Sequence, residues 1–262
     1  MSSLLDRAIN KLPHITLVFW IMKIAATTLG ETAGDLLAQT LGVGYATSTM
    51  ILMSIFIVVL IAQLMAKRHH PWLYWSVILA TSTAGTTMSD YMDRTLGLGY
   101  ATGTAILISI LITIFFFWKR SGATLDVHNI KTTKIEALYW MAILFSNTLG
   151  TALGDFLADS SGLGFGGGAL LIGSLIALTI IAHYYTKISW ILLFWIAFVL
   201  TRPFGATFGD LMTKSHEKWW LAFGTMGSSA VLLGILVIFV AYSAYMHREK
   251  YRLERIALED SY

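Results

Sequence analysis

The sequence predicts an all-α polytopic membrane protein with eight transmembrane helices in four parallel two-helix repeats, odd helices inner and even helices outer. Three observations predict it. Apolar residues fill 56% of the 262 positions against 13% charged, with a mean hydropathy of +0.69, well above a soluble domain of this size. Apolar runs recur at about the ~20 residues a spanning helix needs. One eight-residue pattern recurs four times, at residues 28–35, 83–90, 148–155 and 203–210, each copy in an alternate run and each ending in aspartate.

The runs fall at 14–41, 44–66, 71–96, 99–118, 134–160, 164–185, 188–213 and 219–246. The first follows Asp6, Arg7 and Lys11 and continues without a small-residue cleavage site, so it reads as an uncleaved helix. Gly44-Tyr45, Gly99-Tyr100 and Gly164-Phe165 open the second, fourth and sixth runs, each nine residues after the preceding aspartate. The eighth follows Ala222-Phe223 after a three-residue insertion. Even runs such as 51–64 and 106–118 are almost free of charge and read as lipid-facing. The longest loop, 119–134, divides the chain into halves, 1–124 with repeats 1 and 2 and 125–262 with repeats 3 and 4. The aspartate spacings of 55, 65 and 55 residues relate the first two repeats to each other as the last two are related. With two spans per repeat, every copy has the same orientation.

Thirteen of the 18 Lys and Arg residues cluster on one side: Arg7, Lys11, Lys67, Arg68, Lys119, Arg120, Lys131, Lys134, Lys187, Arg248, Lys250, Arg252 and Arg255. The positive-inside rule then places both termini and the loops after even helices in the cytoplasm. The formal charge of +3 follows from these loops and gives no reason to expect nucleic-acid binding. Trp72, Trp75, Trp118, Trp190 and Trp219 are expected in the interfacial belts. The expected partners are membrane lipid and a small inorganic cation. Oligomeric state is not encoded in these patterns.

The pairs Gly30/Gly34, Gly85/Ser89, Gly150/Gly154 and Gly205/Gly209 have the small-x-x-x-small spacing that lets helices pack closely in lipid. The adjoining Asp35, Asp90, Asp155 and Asp210 are different, since an intramembrane carboxylate costs several kcal/mol and marks function by default. Each stands either at a helix end near the outer surface or in a broken segment lining a cavity. Asp90 and Asp210 have a base four residues later, Arg94 and Lys214, and read as neutralised. Asp35 and Asp155 instead have an acid at that spacing, Glu31 and Asp159, so these two clusters are the first candidates for a metal ion. Thr27, Thr28, Thr32, Asn147, Thr148 and Thr151 add oxygen donors, an inventory suited to Mg²⁺, Ca²⁺ or Mn²⁺. There are no cysteines, and His14, His69, His70, His128, His183, His216 and His247 lie at loops, ends or the cytoplasmic interface, so no zinc-type site is expected. Lys23 is expected to snorkel to the cytoplasmic face. Arg202 is expected to be a counter-ion in a buried pair with a motif carboxylate.

The four Gly-x-x-x-Gly/Ser-Asp segments and the Leu-Gly-x-Gly-Tyr that follows them resemble a family of uncharacterised bacterial inner-membrane proteins. Glu31-Thr32-Ala33-Gly34-Asp35 is loosely similar to the Glu-φ-Gly-Asp signature of manganese and calcium/proton exchangers, with an extra residue before the glycine and no base after the aspartate. That likeness implies cation exchange against protons. The function expected is thus transport of a small hard cation, divalent by its ligand set, as substrate and not as cofactor. An intramembrane hydrolase with paired aspartates and a non-transporting scaffold are the alternatives. Four repeated acids fit poorly with hydrolysis, which needs two groups of opposite role.

Overall fold

The computed structural model describes residues 13, 15–66, 68–127, 130, 132–214 and 224–259, and among them there are eight α-helices and no strand. These are α1 (Leu17–Asp35), α2 (Tyr45–Met65), α3 (Pro71–Asp90), α4 (Tyr100–Arg120), α5 (Thr133–Asp155), α6 (Gly164–Tyr185), α7 (Trp190–Lys214) and α8 (Gly224–Glu259). Arg7, Lys11, His14, Lys67, His128, Lys131, His216, Lys218 and Trp219 lie outside the described residues.

Local chemistry sets the helix ends. The Thr16 hydroxyl accepts from the Phe19 amide at 3.3 Å and the Thr132 hydroxyl from Ile135 at 3.3 Å, each satisfying an otherwise orphaned donor. Pro71 opens α3, where its missing N–H costs nothing. At the other end α1, α3 and α5 continue past their aspartates as one π-helical turn each: Leu36–Thr40, Tyr91–Thr95 and Phe156–Ser160. Leu41 N–H closes the first onto the Leu36 carbonyl at 2.8 Å, and Leu96 and Ser161 do the same at 2.9 and 3.0 Å. The broken segment expected as one form of the motif is not found in these three copies: the helix widens without unwinding. Gly42 and Gly44, with φ of 68° and 80°, then reverse the chain into α2, a conformation closed to most residues with a Cβ.

Among the described residues six helices are long and apolar enough to cross a membrane: Tyr45–Met65, Tyr100–Arg120, Thr133–Ser160, Gly164–Tyr185, Trp190–Thr213 and Gly224–Glu249. This is compatible with a multi-pass membrane protein. α1 and α3 fall short of the eight expected because Lys23, Glu31 and Asp35 in the first, and a run of Thr and Ser in the second, lower their hydropathy. Those polar residues are buried.

α1 packs on α3, α3 on α5, α5 on α7 and α7 on α1, closing a cycle of four. α2 lies against α3, α4 against α5, α6 against α7 and α8 against α1, so each even helix rests on the odd helix of the following repeat. Burial covers 72% of the apolar stretch of α5 and 61% of that of α7, against 17–22% for α2, α4, α6 and α8. At the end of the cycle remote from the aspartates sits an aromatic cluster in which Trp118 meets Trp195 at 5.7 Å and the Tyr74 and Tyr139 hydroxyls bond at 2.9 Å. Trp75 and Trp118 are therefore core residues, a correction to their expected place in a belt, while Trp72 and Trp190 are exposed.

Candidate cation site

The cycle closes through its glycines. A methyl placed on Gly30 would overlap Ser82, on Gly85 would come within 3.2 Å of Asn147, on Gly150 would overlap Arg202, and on Gly205 would lie 2.7 Å from the Thr27 hydroxyl. Each glycine stands five residues before its aspartate, and each target stands eight before the aspartate of the next repeat. Repeat 4 meets repeat 1 in the same register. Gly34 meets Thr86, Gly154 meets Ala206 and Gly209 meets Glu31 one turn further along, so all seven packing glycines sit at helix contacts.

This register stacks equivalent positions into layers. The layer twelve residues before the aspartates holds Lys23, Ile78, Ile143 and Phe198; the next holds Thr27, Ser82, Asn147 and Arg202; the third holds Glu31, Thr86, Thr151 and Ala206. Lys23 is fully buried, donates to Asn147 Oδ1 at 3.4 Å and lies 4.1 Å over the Phe198 ring. It does not snorkel, because Asn147, itself held by Thr81 at 2.9 Å and Ser82 at 3.3 Å, draws the ammonium across the cycle. Arg202 is also fully buried and forms the expected pair, its Nη1 reaching Glu31 Oε2 at 3.2 Å.

The aspartate layer divides in two. Arg94 pairs with Asp90 through Nε at 3.0 Å, as its spacing predicted, and also reaches Asp155 through Nη2 at 3.0 Å. Asp155 is therefore bound to a base from another repeat. Asp159 is exposed and accepts from the Tyr100 hydroxyl at 3.2 Å. On the other side Glu31, Asp35 and Asp210, all buried, offer carboxylate oxygens within 4.8 Å of one another, close enough to share one metal ion. Gln39 donates to Asp35 Oδ1 at 2.5 Å and so orients it. Asp210 thus joins the acid cluster; the Lys214 side chain expected beside it lies outside the described part of the structure.

Of six acids expected to hold a metal, the structure gathers Glu31, Asp35 and Asp210, bridges Asp90 and Asp155 with Arg94, and leaves Asp159 outside. Sequence reasoning missed Thr86 and Ser82, which serve the centre of the cycle. Their signal was present: they occupy the positions of Glu31 and Thr27 in the second repeat.

Four segments, residues 18–69, 73–124, 138–189 and 193–249, match a family described as a repeat of unknown function, DUF347. They coincide with the four two-helix units. No curated protein and no solved structure matches the chain.

Proposed function

Because the chain belongs to the DUF347 repeat family, a description that names no activity, we propose its function from the site itself: a membrane transporter of a small hard divalent cation, exchanged for protons at intramembrane carboxylates. One observation carries the reading: three buried carboxylates from α1 and α7 converge within 4.8 Å. Burying like charges together is costly unless a cation or protons offset them. Among the described side chains Arg94 and Arg202 stand within about two turns of Glu31, Asp35, Asp90, Asp155 and Asp210, with Lys23 about three turns below the aspartates.

In this reading all eight helices span a bacterial inner membrane with both termini cytoplasmic. The odd helices form the inner ring, and the even helices face lipid. Residues 1–124 and 125–262 are the two halves around one site. The supporting facts are the meeting of equivalent residues from all four repeats in single layers, which four parallel copies produce, and the exposed apolar surface of α2, α4, α6 and α8. The low hydropathy of α1 and α3 is accounted for by their place inside the ring, where polar groups bond one another.

The test is uptake into proteoliposomes of Mn²⁺, Ca²⁺, Mg²⁺ and Na⁺ under an imposed pH gradient, with proton movement followed by a trapped dye. Divalent uptake coupled to proton efflux is the expected result. A sealed, folded preparation that moves none of these ions contradicts the reading.

A further inference from the structure

Arg202 breaks the four-fold pattern at the centre of the ring, where the other repeats supply Thr27, Ser82 and Asn147. Its guanidinium donates to the Thr27 carbonyl at 2.9 Å, the Ser82 carbonyl at 3.2 Å, the Thr151 hydroxyl at 2.8 Å and the Thr86 hydroxyl. One side chain of α7 thereby bonds α1, α3 and α5. A hydroxyl has a single proton, so Thr151, accepting from Arg202, turns its own toward Glu31 Oε2 at 3.3 Å, while the Thr86 hydroxyl has the same oxygen at 3.2 Å and the Ser82 and Gly30 carbonyls at 3.1 and 3.3 Å as acceptors. With the guanidinium at 3.2 Å, Oε2 has three donor groups around it. Among the described residues no hydrogen bond reaches the other oxygen, Oε1. Glu31 thus presents one committed oxygen to Arg202 and has one left for the cluster with Asp35 and Asp210.

We infer that Arg202 is the residue that sets the charge specificity of this site: a built-in cation that offsets one of its three clustered carboxylates. The inference rests on the cluster being the transporter's cation site. A fixed positive charge a few ångströms away opposes a bound ion in proportion to that ion's charge, so removing it favours a trivalent ion over a divalent one by on the order of tenfold or more. A purely structural arginine would alter stability and leave that ratio unchanged.

The experiment titrates the purified full-length chain with Mn²⁺ and with La³⁺, reading affinities from thermal stabilisation, in wild type, Arg202→Gln, Arg202→Lys and the double variant Glu31→Gln/Arg202→Gln. In Arg202→Gln the La³⁺:Mn²⁺ affinity ratio rises about tenfold or more, and in Arg202→Lys it stays near wild type because the charge remains. The double variant removes both members of the buried pair, which proteins tolerate far better than removal of one, so it serves where Arg202→Gln does not fold. Its net charge returns to that of the wild type, and its ratio with it. If Arg202 plays no part, the same double variant loses one effective carboxylate and its ratio falls about tenfold. That fall, or an unchanged ratio in folded Arg202→Gln, overturns the inference and leaves the transport reading standing. A wild-type protein that binds neither ion overturns both.

Discussion

The α1–α7 side of the ring and the α3–α5 side occupy the same positions in the same repeat, yet they solve the burial of aspartate differently. On α3 and α5 the layers below the acids hold Ile78 and Ile143, then Ser82 and Asn147, then Thr86 and Thr151, and one arginine from the turn after α3 binds both Asp90 and Asp155. On α1 and α7 the equivalent positions hold Lys23, Arg202 and Glu31, and the acids gather three together. On the first side one base at the rim bridges two acids. The second has Arg202 and Lys23 one to three turns below its carboxylates. Duplication supplied a common scaffold of glycine contacts, and divergence at three positions placed the chemistry on one seam of it.

The largest expected effect tests the shared scaffold. Gly30 touches Ser82 on one side and Gly150 touches Arg202 on the other with no room for a methyl, so Gly30→Leu and Gly150→Leu should each prevent assembly of a folded monomer, seen as loss of a monodisperse elution peak. Gly154→Ala, whose Cβ would lie 3.0 Å from that of Ala206, should cost only about 1–3 kcal/mol as ordinary overpacking. A wild-type melting temperature in both leucine variants would remove the glycine register from the account.

Next in size is the difference between the two ion pairs. Glu31→Gln leaves Arg202 buried without a carboxylate and should cost about 3–5 kcal/mol. Arg94→Gln should cost less, about 1–2 kcal/mol, because the Arg94 side chain is 32% exposed and water can reach what it leaves behind. Denaturant unfolding in detergent orders the two; a larger loss in Arg94→Gln would reverse the assignment of rim and core. The smallest effect belongs to Asp159→Asn. Exposed beside Tyr100, it should change neither stability beyond ~0.5 kcal/mol nor the apparent affinity for Mn²⁺.

Much of this was readable in the chain and some was not, for physical reasons. Helix number, the repeat register, the turns at Gly44 and Gly99 and the Asp90–Arg94 pair all follow from spacing within one repeat, which local chemistry controls. The pairing of Arg202 with a motif carboxylate was legible because a buried guanidinium demands an acid. Asp155 was misplaced because its partner, Arg94, comes from 61 residues away, and no local spacing reports which neighbour a closed ring supplies. Lys23 was misplaced for a similar reason: snorkelling is the default for a lone lysine, and Asn147, its acceptor, lies 124 residues away. Asking which residues share a position across all four repeats, instead of which lie four apart in one, would have put Glu31, Thr86 and Thr151 in one layer from sequence alone.

The division of the acids is tested most directly by titrating Mn²⁺ into the folded variants Asp35→Asn, Asp210→Asn, Asp90→Asn and Asp155→Asn, with affinity read from thermal stabilisation. Asp35→Asn and Asp210→Asn should each weaken binding by about tenfold or more, while Asp90→Asn and Asp155→Asn should shift it by no more than about threefold, since loss of a ligand charge in contact outweighs loss of one already paired. Equal weakening in all four, or weakening confined to Asp90→Asn and Asp155→Asn, would contradict a site built on the α1–α7 seam.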